Sequence, residues 1–424
     1  MTSLEGGPAR TPAPEVDPQP LGPTGPARRP LASPGFRLLF GGQAASVFGD
    51  RLVLVAMPFA VLSIDGAGAA DVGLVLGAGA LSIAAFILIG GVWADRLPRR
   101  ATMLVSDSVR AVVQGVAAAF LLTGHASVLL LVVVQLLYGA ADAFFRPAML
   151  ALLPELLDDD ELQPANALLS LSSNVSMVLG PVVAGVLVAT INAGGALAVD
   201  AATFVVSALT LAALRVRRPL QPPPRESFAT ELRAGWREVR SRGWVWSTIL
   251  GFSAYHALVL PALFVLGPIV AEESRGGAAA WGVISAGFGV GAVVGSVAAL
   301  RWKPPRPGFV IALCLLLASS QSAIVTTTWP TAVVAALEAV TGVMVALTFT
   351  IWETALQRHI PATAQARVSS FDYLGSLTLM PLGFVVMGPL APAVGVQRLG
   401  VAATVVSALV CAAVLANRSL RRLT

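Results

Sequence analysis

The chain has 424 residues, 56% of them hydrophobic and only 12% charged, with a mean hydropathy of +0.79. Soluble proteins carry roughly 25% charged residues, so this composition excludes a water-soluble globular protein and indicates a membrane protein. Of 28 basic residues only Lys303 is lysine, and the formal net charge is +5; arginine beside abundant Ala, Gly and Val reads as compositional bias, and no nucleic-acid partner is expected. Cys314 and Cys411 both fall within apolar runs, so no disulfide framework, metal site or cofactor is expected.

Residues 1–35 contain nine prolines and no apolar core of a secretory leader, which predicts a disordered tail. A membrane-crossing helix needs about 20 mostly apolar residues. The first half offers six such stretches, at 36–64, 72–93, 101–123, 126–146, 167–190 and 195–214. The first carries Asp50 and Arg51, which either pair with one another or hold other helices; in a second reading Asp50 binds a proton or cation, because an acid within a span is costly and therefore a functional candidate. The second ends in GGVWADRLPRR, a dense charge cluster after a long apolar run. Asp107 and Arg110 in the third are spaced i,i+3 and can meet on one helix face. Asp200 lies in the sixth.

Residues 215–243 hold eight arginines and the run QPPPR, and divide six stretches from six. Within this linker SFATELRAGWREVRSRGW can form a basic amphipathic helix on a membrane surface rich in anionic headgroups, or a docking site for a partner. The second half offers stretches at 244–270, 279–300, 309–327, 330–352, 367–390 and 395–416, followed by a basic tail, 417–424. Tyr255 and His256 lie in the seventh. Glu338 lies in the tenth with no Lys or Arg between Arg306 and Arg358, so it is a candidate for coupling protonation to ligand binding or for a packing hydrogen bond. Asp372 stands near the start of the eleventh, where a helix N-terminus favours an acid. Gln43, Gln114, Gln135, Asn174 and Gln321, with Phe48, Phe59, Tyr255, Phe264 and Phe288, are candidates to line a cavity or to pack between helices.

With the N-terminus inside, every basic residue except Arg51, Arg110, Arg275 and Arg398 falls at the cytoplasmic face, as insertion requires; both termini are expected in the cytoplasm of a multi-pass protein of the cell membrane. The halves repeat. Leu153-Pro154 matches Ile360-Pro361 at an offset of 207, Gly180-Pro181 matches Gly388-Pro389 at 208, and Gly73 matches Gly282 at 209. A parallel duplication of six spans fits secondary transporters, whose sites lie near mid-membrane between repeats. The domain plan is therefore a bundle at 36–214, the linker, and a bundle at 244–416.

The loop pattern Gly91, Asp95-Arg96, Arg99-Arg100 resembles the signature G-x-L-A-D-R-x-G-R-K of the major facilitator superfamily, with Trp93 in place of leucine and Pro98 in place of glycine. Gly180-Pro181-x-x-Ala184-Gly185 resembles the antiporter motif G-P-x-x-G-G, or else simply packs small residues between helices. FRLLFGGQAASVFGDRL, SDSVRA and FFRPAMLALLPELLDDDELQPANAL are similar to the exporter branch that includes siderophore and macrolide efflux proteins. The resemblance implies an all-α membrane fold of 12 transmembrane helices in two pseudo-symmetric six-helix bundles. It implies a conformational latch in which Asp95 faces the helix after Pro361 and Arg99 pairs with Asp142, with Arg96 and Arg100 beside them; serving only as inside-facing topology signals is the alternative for these arginines.

The function expected is proton-coupled export of small hydrophobic compounds by a protein acting as a monomer in the lipid bilayer, with Asp50 and Glu338 as coupling acids. An importer of a small nutrient is the alternative, and a non-transporting sensor a more distant one. No nucleophile with a nearby base and no phosphate-cradling loop is present in the sequence, so neither an enzyme nor direct ATP drive is expected.

Overall fold

The computed structural model describes residues 30–94, 97–216 and 228–423. Among these residues there is no strand, and twelve helices are long and apolar enough to cross a membrane. Spans 1 to 6 are Pro34–Leu62, Ala69–Ala94, Arg99–Leu122, Val128–Leu156, Asp159–Thr190 and Ala193–Ala213. Spans 7 to 12 are Gly243–Ser274, Ala278–Arg301, Pro307–Val325, Thr331–His359, Phe371–Val394 and Val396–Ala416. Their outward faces expose large apolar side chains such as Val112 (64%), Leu129 (72%) and Leu300 (78%). Surfaces of that kind on so many helices suit hydrocarbon rather than water.

Local chemistry sets the ends. Ser33 and Ser127 accept hydrogen bonds from Phe36 N (3.4 Å) and Leu130 N (3.2 Å), capping spans 1 and 4. Gly124, at φ +72°, turns span 3 into span 4. Several boundaries differ from the sequence reading. Span 4 continues past Arg146 to Leu156, and span 5 begins at Asp159, because the acids Asp159, Asp160 and Glu161 favour a helix N-terminus and the Asp158 amide donates to Glu161 Oε2 at 3.2 Å. The helix leading into span 11 begins at Ala362, directly after Pro361, so Asp372 sits well inside it rather than at its start.

The helix pairings repeat with an offset of six spans. Spans 1·6, 2·4, 3·6, 3·4 and 1·5 pack in the first half, and 7·12, 8·10, 9·12, 9·10 and 7·11 in the second. The halves meet through 5·8 and 2·11, a pair of contacts that the same repeat exchanges. Glycines make these crossings close. A Cβ on Gly282 of span 8 would stand 2.5 Å from the Pro181 carbonyl oxygen of span 5, and one on Gly388 of span 11 would stand 2.7 Å from Ala70 Cα of span 2. Of the four glycines matched between the halves of the sequence, Gly73, Gly282 and Gly388 thus stand at the two inter-half crossings, while Gly180 faces Arg51 of span 1.

The termini of spans 1 and 12 share one face. Toward the opposite face a single apolar core runs through both halves, joining Val55 and Phe59 of span 1 and Val72 of span 2 to Leu266 of span 7 and Met387 of span 11. Toward the terminal face the cores are separate, one around Phe36, Met103 and Leu152, the other around Phe252, Trp352 and Val414. The halves are therefore joined at one end and parted at the other. A helix at Phe228–Ser241 lies on the terminal face, with Val239 buried in the second half and Trp236 against Phe371 at 5.9 Å between ring centroids; Arg233, Arg237 and Arg240 of this helix are exposed.

The crossings supply a direct test. Gly282→Val should lower the melting temperature of the purified protein by several degrees, since overpacking a close contact costs about 1–3 kcal/mol. Gly115→Ala, where a Cβ meets nothing within 4 Å, should leave the temperature unchanged or slightly raised.

Candidate functional site

A cavity of about 600 Å³ lies between the halves at mid-length of the spans. Its walls are unlike. From the first half come Gln43, Asp50 and Arg51 of span 1 and Gln135, Tyr138, Asp142 and Arg146 of span 4; from the second come Phe264 of span 7 and Met380 and Phe384 of span 11. Phe264 belongs to the second of two wide π turns in span 7, Tyr255–Val259 and Ala262–Leu266, on either side of Pro261. A proline lacks the N–H that an α-helical ladder needs, and such turns re-aim side chains. Of the other aromatic candidates, Phe59 and Tyr255 are buried in the apolar cores.

Arg110 of span 3 organises the charged wall. Its side chain is 1% exposed, and one terminal nitrogen donates to Asp107 one turn earlier, the i,i+3 contact that the sequence spacing allows. The other lies 3.4 Å from Asp142 Oδ1 and 3.9 Å from Asp50 Oδ1. The guanidinium stacks between the rings of Phe145 and Phe204, each centroid 4.4 Å away, which satisfies its faces as the acids satisfy its edges. Arg146 Nε bonds the second oxygen of Asp142 at 2.9 Å. The hydroxyl of Tyr138 donates to Asp50. Tyr138, Asp142 and Arg146 follow at i, i+4 and i+8, so span 4 presents all three on one face.

Asp50 does not pair with Arg51. Adjacent helical residues project about 100° apart, and Asp50 turns to span 3 and span 4 instead. Its side chain remains 32% exposed. Arg51 lines the cavity, makes no ion pair among the described residues, and has a buried Nε without a hydrogen-bond partner. Asp200 of span 6 is fully buried and accepts from Gln114 Nε2 at 2.8 Å.

Asp95 and Arg96 lie outside the described residues, and Gly91 lies in the last turn of span 2. Arg99 pairs with Glu155, at 2.5 Å, and donates to the Ala151 carbonyl at 3.0 Å. This corrects the pairing with Asp142. Span 4 runs on to Leu156, so the acid level with the start of span 3 is Glu155, while Asp142 lies about 20 Å deeper at 1.5 Å per residue. Arg100 donates to the carbonyls of Leu211 (2.6 Å) and Ala212 at the end of span 6. Gly180 and Gly185 of span 5 face different neighbours: a Cβ on the first would collide with the side chain of Arg51, and one on the second would stand 2.8 Å from the Ala278 carbonyl of span 8. Pro181 supplies its carbonyl to the same crossing.

Glu338 is placed away from this cavity, within the second half. It is 1% exposed; Gln321 Nε2 donates to its Oε2 at 2.6 Å, Thr341 Oγ1 reaches the same oxygen at 3.2 Å, and Tyr255 donates to Gln321 Oε1 at 2.6 Å. Asp372 accepts from Trp352 Nε1 at 2.8 Å. This interhelical bond, rather than a helix end, accounts for the acid. His256 is buried with Nδ1 2.8 Å from the Phe252 carbonyl. Tyr138 and Arg146 were not singled out from sequence; their i,i+4 spacing to Asp142 was the available signal.

Comparison with known proteins agrees with this architecture. The chain is 26% identical to the multidrug efflux pump Tap of Mycolicibacterium fortuitum over 376 residues, 85% of this chain and 90% of that protein. It is 28% identical to the enterobactin exporter EntS of Shigella boydii serotype 18 over 293 residues, 67% of each. Among solved structures, the nucleoside transporter NupG superposes with a TM-score of 0.68 at 13% identity, covering 90% of this chain and 98% of that one. A bacterial homologue of the iron transporter ferroportin in an inward-facing state superposes at 0.70 and 15% identity, covering 90% and 98%. Residues 39–377 match the family described as Major Facilitator Superfamily, and with the twelve spans, the repeated pairings and the cavity between halves, the chain belongs to that superfamily and is a multi-pass membrane transporter of small molecules rather than an enzyme.

Proposed function

We propose that this transporter is a proton-coupled exporter that moves small, largely hydrophobic compounds outward as protons enter. The observation that carries the reading is the position of Asp50: an acid on the cavity wall, held by Tyr138 and close to Arg110, opposite the apolar surface of Phe264, Met380 and Phe384. The low identity to Tap and EntS, both exporters by name, supports the direction. On this reading both termini are cytoplasmic and the parted end of the halves opens inward.

Coupling follows from charge. Ionised Asp50 draws on Tyr138 and Arg110; protonated, it no longer holds a cation, and the hub relaxes onto Asp107 and Asp142. A compound that offers a hydroxyl or N–H to the same carboxyl stabilises its ionised form, so ligand and proton each disfavour the other, which is antiport. The bundles 36–214 and 244–416 then rock about the close crossings 5·8 and 2·11, where Pro181 and Gly185 of the antiporter-like motif keep span 5 against span 8 and Gly180 seats it on Arg51 of span 1. Asp95 and Arg96, outside the described residues, are assigned to a latch on the motif they share with the superfamily; Arg99 and Arg100 tie span 3 to spans 4 and 6 so that the first bundle moves as one body. Glu338 is a second candidate acid, set in a hydrogen-bonded group of its own half. The protein acts as a monomer, with the helix at Phe228–Ser241 resting on the inner leaflet.

Proteoliposomes test the coupling with a panel of amphipathic dyes under an imposed proton gradient. Asp50→Asn should lower gradient-driven transport about tenfold or more while dye exchange without a gradient persists, and Glu338→Gln should have the smaller effect; full pH dependence in Asp50→Asn overturns the assignment. The bundle ties are tested by charge reversal. Arg99→Glu places like charges beside Glu155 and should cut transport several-fold with membrane insertion intact, and adding Glu155→Arg should restore much of it, the signature of a direct pair.

A further inference from the structure

We infer that the cavity recognises an anionic group on its substrate, a carboxylate, phenolate or phosphate carried by an apolar body, and that Arg51 is the residue that binds it. The inference rests on the exporter reading above and names its substrate class.

The charges at the cavity are nearly all spoken for. Asp142 is bonded by Arg146 and approached by Arg110, Asp107 is bonded by Arg110, and Asp50 accepts from Tyr138. Arg51 is the exception. It is half-buried at the cavity wall, it makes no ion pair among the described residues, and its buried Nε has no hydrogen-bond partner. A cation withdrawn from water without a partner is costly, and a guanidinium is shaped to take a carboxylate or phosphate through two parallel hydrogen bonds. Two further groups on the same wall are unsatisfied: Gln43 Oε1 and Gln135 Oε1 are buried acceptors without donors, suited to hydroxyl or N–H groups of the same ligand. Phe264 and Phe384 across the cavity supply the apolar contact.

The antiporter-like motif gains a second purpose here. A Cβ on Gly180 would collide with the Cβ of Arg51, so glycine at this position is what lets Arg51 lie between spans 1 and 5 with its head at the cavity. A lipophilic cation, by contrast, would enter beside Arg51 and Arg146 and find the two carboxylates of the wall, Asp50 and the nearly buried Asp142, already bonded. An inside-negative membrane potential also assists the outward movement of an anion.

The test uses two xanthene dyes of similar size and opposite charge, fluorescein and tetramethylrhodamine methyl ester, with the full-length protein in proteoliposomes and in detergent. The wild-type protein should bind fluorescein more tightly. Arg51→Gln should weaken fluorescein binding about tenfold or more and change rhodamine ester binding by less than about twofold, with Arg51→Lys recovering part of the loss. Gly180→Ala should reproduce the Arg51→Gln pattern in weaker form. Equal loss of both dyes in Arg51→Gln, or tighter binding of the rhodamine ester by the wild-type protein, would refute the assignment. If the rhodamine ester alone is expelled in a proton-dependent way, the exporter reading stands and the anion assignment falls. If fluorescein binds through Arg51 but its movement ignores the proton gradient, the anion assignment stands and the coupling falls.

Discussion

A guanidinium shut inside a membrane protein must be matched by acids, and Arg110 sets that constraint for the whole first bundle. At 1% exposure it has no water to turn to, so Asp107, Asp142 and Asp50 are drawn from three helices toward one point, and Phe145 and Phe204 close over its faces. Removing one member of such a buried group leaves an uncompensated charge, a loss of about 3–5 kcal/mol. The same dependence makes the group responsive: a proton added to any one acid redistributes the attraction among the others. On the proposed reading, Asp50, the most exposed of these acids at the cavity wall, is where that redistribution meets a ligand.

Duplication gives the two bundles the same pairing plan but not the same interior. The plan repeats contact by contact, down to glycines exchanged between the 5·8 and 2·11 crossings. Among the described residues the second bundle has no counterpart of Arg110 at its centre; its buried polar groups include Ser319 with Ser407 and Gln321 with Glu338, each pair joined by a hydrogen bond rather than an ion pair. One half therefore carries charge to the cavity and the other an apolar wall. This division suits a transporter in which the ion acts on one bundle while the compound is held between both.

Much of this was legible in the chain. Bilayer thickness forces long apolar runs, so all twelve spans could be counted, and close helix crossings force glycine, so the repeat surfaced as matched Gly and Gly-Pro positions. The Asp107 to Arg110 contact followed from helical spacing alone. The errors share one cause. Charged residues served as markers of membrane edges, and span 4 was stopped at Arg146; but Asp142 neutralises that arginine one turn earlier, and the helix continues to Leu156. Arg99 consequently finds Glu155. Contacts between distant helices, such as Tyr138 to Asp50 or Trp352 to Asp372, leave no periodic trace in a sequence. The unpaired state of Arg51 could be seen only when its neighbours were in place.

The central claim is that ligand and proton contend for one carboxyl at the cavity wall. It is tested most directly by adding a transported dye to purified protein in weakly buffered detergent solution and following the pH with an indicator. Binding should expel a proton from the wild-type protein and none from Asp50→Asn under the same conditions. Undiminished proton release from Asp50→Asn on binding the dye would contradict it.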